Sequence, residues 1–316
     1  MSSCGNARAP YPSTRAPSSS CQRASRAARA VSAYLDLTRQ TKVDANTVIW
    51  NQVIETLLSI DSLYPGLQGR TGLNAYAVRI LSPVLACTTW DRQPGEADNV
   101  AVLRENLIDA LGRFGDQAVI SEARFRFGKF VANPGDPQVL PAAIRRPTLR
   151  VVGLWADSAT YDQIYALAKS TIDPVAKDQY FVALASAKEP LLAQRSLELA
   201  LGSDPAKTTG PSMISRVALD NAIMAWNFVL GHLSEVDAKL DALQRYSFVP
   251  SIGAQSLDLA VLKELRNFID GNVPEGNKAQ VERFYADMVF RLLVRAQRVP
   301  EIDRWIQANG ANRPLG

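Results

Sequence analysis

Val281-Glu282-Arg283-Phe284-Tyr285-Ala286-Asp287-Met288-Val289-Phe290-Arg291-Leu292-Leu293 decides the fold class. Val281, Phe284, Tyr285, Met288, Val289, Leu292 and Leu293 recur at i, i+3, i+4, i+7, i+8, i+11 and i+12, the spacing of one apolar stripe on an α-helix. Glu282, Arg283, Asp287 and Arg295 fall off the stripe and give the helix a wet face. Ile49, Val53, Leu57 and Leu58 repeat the pattern earlier in the chain, as do Leu103, Leu107, Leu111 and Phe114. No region alternates with period two between hairpin turns, so the spacing predicts an all-α protein from about residue 28 onward.

The stops between helices are explicit. Asp136-Pro137, Asp173-Pro174 and Asp204-Pro205 each set a carboxylate before a proline. The carboxylate can accept the unpaired N–H groups of a first helical turn, and proline at the first position lacks only an N–H that has no partner there. Gly95, Gly115, Gly202 and Gly276 mark further breaks. Three segments repeat one motif: a polar break, then a helix with small and apolar residues on one side. They begin at Gly115, Ala156 and Lys188, and their acidic breaks are Asp116, Asp157 and Glu189. Offsets of about 41 and about 32 residues suit helix-pair repeats. The expected architecture is an α-solenoid of HEAT/armadillo-like helix pairs rather than a compact bundle, because each pair relies on its neighbours to bury its face.

Composition bounds the function. Of 316 residues, 47% are apolar and 21% charged, enough to bury a sizeable core. No apolar run approaches the ~18–20 residues of a membrane helix. The net charge is +4, but residues 1–30 hold Arg8, Arg15, Arg23, Arg26 and Arg29 and no acid, which leaves −1 for the rest. The basic signal therefore belongs to the tail, and nucleic acid is not an expected partner. Residues 1–27 form a Ser-, Ala- and Arg-rich tail with too few large apolar residues to offset the entropy of ordering, and are expected to be disordered. The tail lacks the apolar core of a secretory signal. It suits either an organelle transit peptide or a stretch that never belonged to the fold.

Candidate chemistry is sparse. Cys4, Cys21 and Cys87 make no disulfide framework, and Cys87 is expected to be a buried, inert thiol. A single histidine, His232, cannot furnish a His-Glu-x-x-His zinc site, so no metal ligand set and no cofactor is expected in this chain. His232 is expected at a helix end. No nucleophile elbow, phosphate loop or dinucleotide fingerprint occurs. Trp90, Trp155, Trp226 and Trp305 are expected to pack helix junctions. Arg145, Arg146 and Arg150, around Pro147, form the one dense basic group of the fold. Guanidinium forks there suit a carboxylate or phosphate on a concave face. Together with Tyr246 they are the peptide-contact candidates, and no catalytic residue is nominated.

The stretch Thr89-Trp90-Asp91-Arg92-Gln93-Pro94-Gly95-Glu96, then Leu103-Arg104 and Leu111-Gly112-Arg113-Phe114-Gly115-Asp116, resembles the C-terminal helical domain of M1-family zinc aminopeptidases. Ala156-Asp157 with Tyr161, Asp173-Pro174 through Lys177 and Tyr180, Ala225-Trp226-Asn227-Phe228, Phe248-Val249-Pro250-Ser251-Ile252 and Ile302-Asp303-Arg304-Trp305-Ile306 are similar to later parts of that domain. The likeness covers about residues 28–308. It implies a full enzyme with a thermolysin-like zinc domain, bearing His-Glu-x-x-His and Gly-x-Met-Glu-Asn, upstream of this region. Neither motif is in these 316 residues. Where family members often carry Gly-Arg four residues before Ala-Trp, this chain has Asn221-Ala222. The resemblance implies a truncated or detached domain that would cap the zinc site and shape a peptide cavity, with no catalysis of its own. The alternatives are a standalone helical-repeat interaction scaffold and the helical half of a split aminopeptidase. The implied partners are a zinc-peptidase domain or a peptide on the concave face. Loss of preceding helices would leave Tyr34, Leu35, Leu37, Val48, Ile49, Val53 and Ile54 as an apolar face, with self-association through residues 30–60.

Overall fold

A computed structural model of the chain describes residues 31–309 except 135 and 137. The tail over residues 1–27, with Cys4 and Cys21, lies outside them. Fifteen helices and no strand occur among the described residues. They are α1 (Val31–Gln40), α2 (Thr47–Asp61), α3 (Arg70–Thr88), α4 (Asp98–Phe114), α5 (Gln117–Ala132), α6 (Ala142–Leu154), α7 (Ser158–Ser170), α8 (Pro174–Leu184), α9 (Pro190–Leu201), α10 (Thr209–Ala218), α11 (Ala222–Gly231), α12 (Leu233–Lys239), α13 (Phe248–Gly253), α14 (Leu259–Asn272) and α15 (Glu275–Asn309).

The three repeated segments are the starts of α5, α7 and α9, each capped by its acidic residue. Asp116 accepts from the N–H groups of Ala118 and Val119 at 2.9 and 3.1 Å, Asp157 from Thr160 at 2.8 Å, and Glu189 from Leu192 at 2.8 Å. Asp173 caps α8 in the expected way, with Pro174 at the first helical position. Such caps contribute ~1 kcal/mol each. The other two Asp-Pro dipeptides are no helix starts. Asp204 lies in the loop before α10 and instead accepts from the Tyr165 hydroxyl and from Lys169 Nζ at 2.5 Å. Helix α6 starts at Ala142, beyond Asp136, and Pro137 is outside the described residues. Gly276 sits in the first turn of α15 rather than at a break.

Helices α2, α4, α6, α8 and α10 pack in series, each against the next. Helices α3, α5, α7 and α9 each pack on the helix that follows them and barely on one another. Crowding on one side and spreading on the other curves the stack, so the first set lines an inner face. The row continues through α13 to α15, and α15 returns to pack on α1 and α3. The solenoid therefore closes on itself.

The closure covers part of the expected first edge and leaves part of it exposed. Trp305 of α15 donates to Asp36 at 3.1 Å and meets Tyr76 edge-on at 5.2 Å. Leu35, Val53 and Ile54 are buried, whereas Leu37, Val48 and Ile49 stay exposed at 62%, 71% and 48%. On α15 itself, Val281 and Met288 are buried but Leu293 is exposed. The helix touches α14, α13, α3 and α1 in turn, so no single stripe serves its whole length. Cys87 is exposed, not buried. It lies two residues past the buried Leu85, about 200° round α3 from the core side.

Candidate functional site

The inner face carries a ladder of charges. Glu105, Asp109 and Arg113 follow one another at four-residue steps on α4, and Arg146 and Arg150 do so on α6. The two helices approach closely because Gly112 has no side chain: a Cβ there would lie 2.3 Å from Val151 Cγ2. At that separation Arg146 Nε donates to Glu105 at 2.7 Å, and Arg150 reaches Asp109 at 2.5 Å. Arg113 spans two more elements, donating to Asp61 at the end of α2 (3.0 Å) and to Asp220 after α10 (3.1 Å). Asp61 also takes a two-pronged bond from Arg70 at 2.7 and 2.8 Å. Beside them Lys188 Nζ lies 4.2 Å from the centre of the Trp155 ring and 3.4 Å from the Arg113 carbonyl. The Trp155 indole is fixed by its own bond to the Gly112 carbonyl at 2.8 Å.

Burial pushes the Asp61 carboxyl up, but the bonds and charges of Arg70 and Arg113 outweigh it and hold the group below the usual aspartate range. Asp109 goes the other way, raised by burial against the pull of Arg150. Burial lowers the Lys188 ammonium to about 8, with Asp220 and Asp61 opposing and Arg113 and Arg70 reinforcing. Arg216 of α10 is also lowered by burial. Its Nε donates to the Ser186 hydroxyl at 2.9 Å, and no carboxylate of the described residues lies within ion-pair distance of it. Arg113, Arg150 and Arg216 line a cavity of about 120 Å³ with Asp109, Leu58 and Leu154.

Of the sequence candidates, Arg146 and Arg150 belong to this face. Arg145 points elsewhere: it donates to the Leu140 carbonyl at 3.3 Å and covers the Phe130 ring on the α5 side. One residue step turns a helix by about 100°, which separates the two arginines. Tyr246 is half-buried against the core between α12 and α13 and shares no hydrogen bond or ion pair with them. Asp61, Lys188, Arg216 and Asp220 are the members the sequence reading missed. A usable signal existed, because Glu105 to Arg146 and Asp109 to Arg150 are both 41 apart, the offset of Asp116 and Asp157. Zinc does not fit these residues. No three His, Cys, Asp or Glu side chains group to hold a metal among the described residues. His232 caps α11, stacks on Phe228 at 4.3 Å and bonds the Phe228 carbonyl through Nδ1 at 2.8 Å.

Compared with known proteins, residues 19–285 match the profile of the family described as ERAP1-like C-terminal domain. The chain belongs to that family. It is the C-terminal helical domain type of M1 aminopeptidases. Aminopeptidase M1-A of Oryza sativa subsp. japonica is 26% identical over 293 residues, 90% of this chain and 31% of that protein. Aminopeptidase M1 of Arabidopsis thaliana is 25% identical over 162 residues, 50% of this chain and 18% of that protein. Aminopeptidase 2, mitochondrial, of Saccharomyces cerevisiae is 22% identical over 169 residues, 52% and 17% respectively. The chain thus spans less than a third of the length of these relatives.

Residues in the stretches quoted for the resemblance hold structure together in this chain. Arg104, 1% exposed, pairs with Glu96 and donates to the Thr88 and Thr89 carbonyls at 3.0 and 2.8 Å, closing the end of α3. Gly115 ends α4 at φ 84°, a left-handed turn that favours glycine, and hands the chain to the Asp116 cap. Trp226 fills the junction with α13, where a Cβ on Gly253 would lie 2.8 Å from its ring, and donates to Glu264 at 2.7 Å.

Proposed function

We propose that this chain works as the C-terminal helical domain of an M1 metallo-aminopeptidase, capping a zinc-peptidase domain and shaping the cavity that receives the peptide. Catalysis and zinc reside outside it. The observation that carries this reading is the family match over residues 19–285, and the charged inner face is the surface we assign to the peptidase partner. Arg146 is 54% exposed while bonded to Glu105, so its guanidinium is held in place yet open to an incoming carboxylate. The excluded volume of a closed ring of helices would select peptides by size. The chain alone is expected to hydrolyse no aminoacyl reporter and to bind no stoichiometric zinc. Mixed with a separately produced M1 zinc-peptidase domain, it should form a complex on size exclusion, and Arg146→Ala with Arg150→Ala should raise KM for peptides with little change in kcat. Hydrolysis by the isolated chain with one tightly bound zinc would end the proposal, as would failure to bind the peptidase domain.

A second reading has its own observation. A groove of about 790 Å³ between α1 and α2 is lined by Leu37, Val48 and Ile49, all exposed. Self-association through residues 30–60 would cover it. Leu37→Ser with Val48→Ser should then lower the apparent mass in light scattering at high concentration without loss of helical signal. Val53→Ser, at a buried position, should instead destabilise the fold.

A further inference from the structure

The inner face holds more positive charge than its own carboxylates use. Beside the Arg146–Glu105 pair, Arg70, Arg113, Arg150, Lys188 and Arg216 stand among three further acids, Asp61, Asp109 and Asp220. All three acids are already engaged: Asp61 by Arg70 and Arg113, Asp220 by Arg113, Asp109 by Arg150. Arg216 and Lys188 are left with a hydroxyl and a carbonyl as their polar partners. Asp220 and Asp109 act on Arg216 through space but neither bonds it, and a half-buried guanidinium with no directly bonded counter-charge is stabilised further when an anion is supplied. The place for one exists, because Arg113, Arg150 and Arg216 converge on the 120 Å³ cavity from three different helices. The space is large enough for a small tetrahedral oxyanion or a few waters.

We propose that this cavity is a binding site for a small dianionic oxyanion of the phosphate or sulfate type, held by the guanidinium groups of Arg113, Arg150 and Arg216. The excess of two positive charges matches a dianion better than a single carboxylate, and planar forks arriving from separate helices suit an oxygen-rich anion. Such an anion would tie α4, α6 and α10 together across the inner face. It would therefore stabilise the curved stack as well as neutralise it. The binding is a property of this chain alone, so it stands or falls apart from the capping proposal.

The test uses the full chain in sulfate, inorganic phosphate, acetate or chloride at equal ionic strength, followed by thermal unfolding and calorimetric titration. Phosphate and sulfate should raise the melting temperature saturably and well above chloride, with one anion bound per chain. Arg216→Gln should weaken sulfate binding at least tenfold, while Arg92→Gln, an exposed arginine on the α3–α4 loop, should leave it unchanged. Should Arg216→Gln not fold, Arg216→Lys keeps the charge but loses the fork, and a weakening of three- to tenfold is expected. A shift no larger than that of chloride would overturn the proposal, as would sulfate binding undiminished in the foldable Arg216 variant. Acetate bound as tightly as sulfate would overturn the dianion and assign the cavity to a carboxylate.

Discussion

At the residue scale, single ionic groups are asked to hold backbone in place. Thr89 is the one non-glycine at positive φ among the described residues, at 60°, and a β-branched side chain is strained there. Arg104 holds it by binding the carbonyls on both sides of the turn while paired to Glu96. Arg104→Leu should cost ~3–5 kcal/mol, because it strands a buried carboxylate and two carbonyls. Glu96→Gln added to it should recover part of the loss in urea unfolding. The Arg104 bond holds the Glu96 carboxyl below its ordinary 4.5. A lowered acid contributes fully above the ordinary value and loses its contribution as pH falls through the lowered one. The wild-type chain should therefore lose stability on acidification below 4.5 more steeply than Arg104→Leu. Equal slopes would show that the pair carries no pH-linked energy. Lys188 has the opposite sign. Its ammonium is lowered from 10.5 to about 8, chiefly by burial, so the charged form opposes folding at neutral pH. That opposition fades as pH rises from about 8 toward 10.5. Lys188→Met should raise neutral stability by ~1–2 kcal/mol, less than the full shift because the Trp155 contact changes too, and should flatten the curve across that window. A slope as steep as the wild type's would count against burial as the cause.

Between elements, glycine decides how closely the inner helices lie. Gly112→Ala would set a Cβ 2.3 Å from a stiff valine side chain, and Gly153→Ala would set one 2.1 Å from the Ala183 backbone carbonyl, on the α6–α8 contact. Overpacking of this kind costs ~1–3 kcal/mol. The two should differ in rescue: Val151→Ala should restore most of the loss in Gly112→Ala, whereas no side-chain truncation clears the way for Gly153→Ala. A double-mutant cycle read by denaturant midpoint checks this, with a coupling near zero for Gly112 and Val151 as the contrary result. This scale also shows where sequence reading works. Helices, caps and the α5, α7 and α9 repeat were legible because periodicity and capping are local. Asp204-Pro205 misled because its carboxylate is claimed by Tyr165 and Lys169 from 39 and 35 residues away. Clustering groups Arg145, Arg146 and Arg150, but only Arg146 and Arg150 lie on the inner face, because clustering carries no information on which way a helix turns each side chain. Arg216 and Lys188 stand alone in sequence, and only packing of distant helices gives them a common setting.

The whole molecule is set by the return of α15 to the first helices, which local patterns could not reveal, since periodicity shows that a face exists and not what covers it. The junction is specific. Tyr64 donates to Asp303 at 2.9 Å, Glu301 accepts from the backbone and hydroxyl of Ser32 at 3.0 and 2.9 Å, and Trp305 joins Asp36 to the Tyr76 ring. Tyr76 in turn bonds Thr38 and the Leu35 carbonyl. An open solenoid behaves as a line of neighbours, so damage at one end stays there. A closed one passes damage at α15 to α1 and α3. Trp305→Ala, which removes a large buried side chain, should cost ~3–5 kcal/mol. Native-state hydrogen exchange should then show lost protection in α1 and around Tyr76 as well as in α15, while α8 and α9 on the far side of the stack change less. Loss confined to residues 300–309 would mean that the ends touch without sharing stability, and that the ring is closed in outline but not in energy.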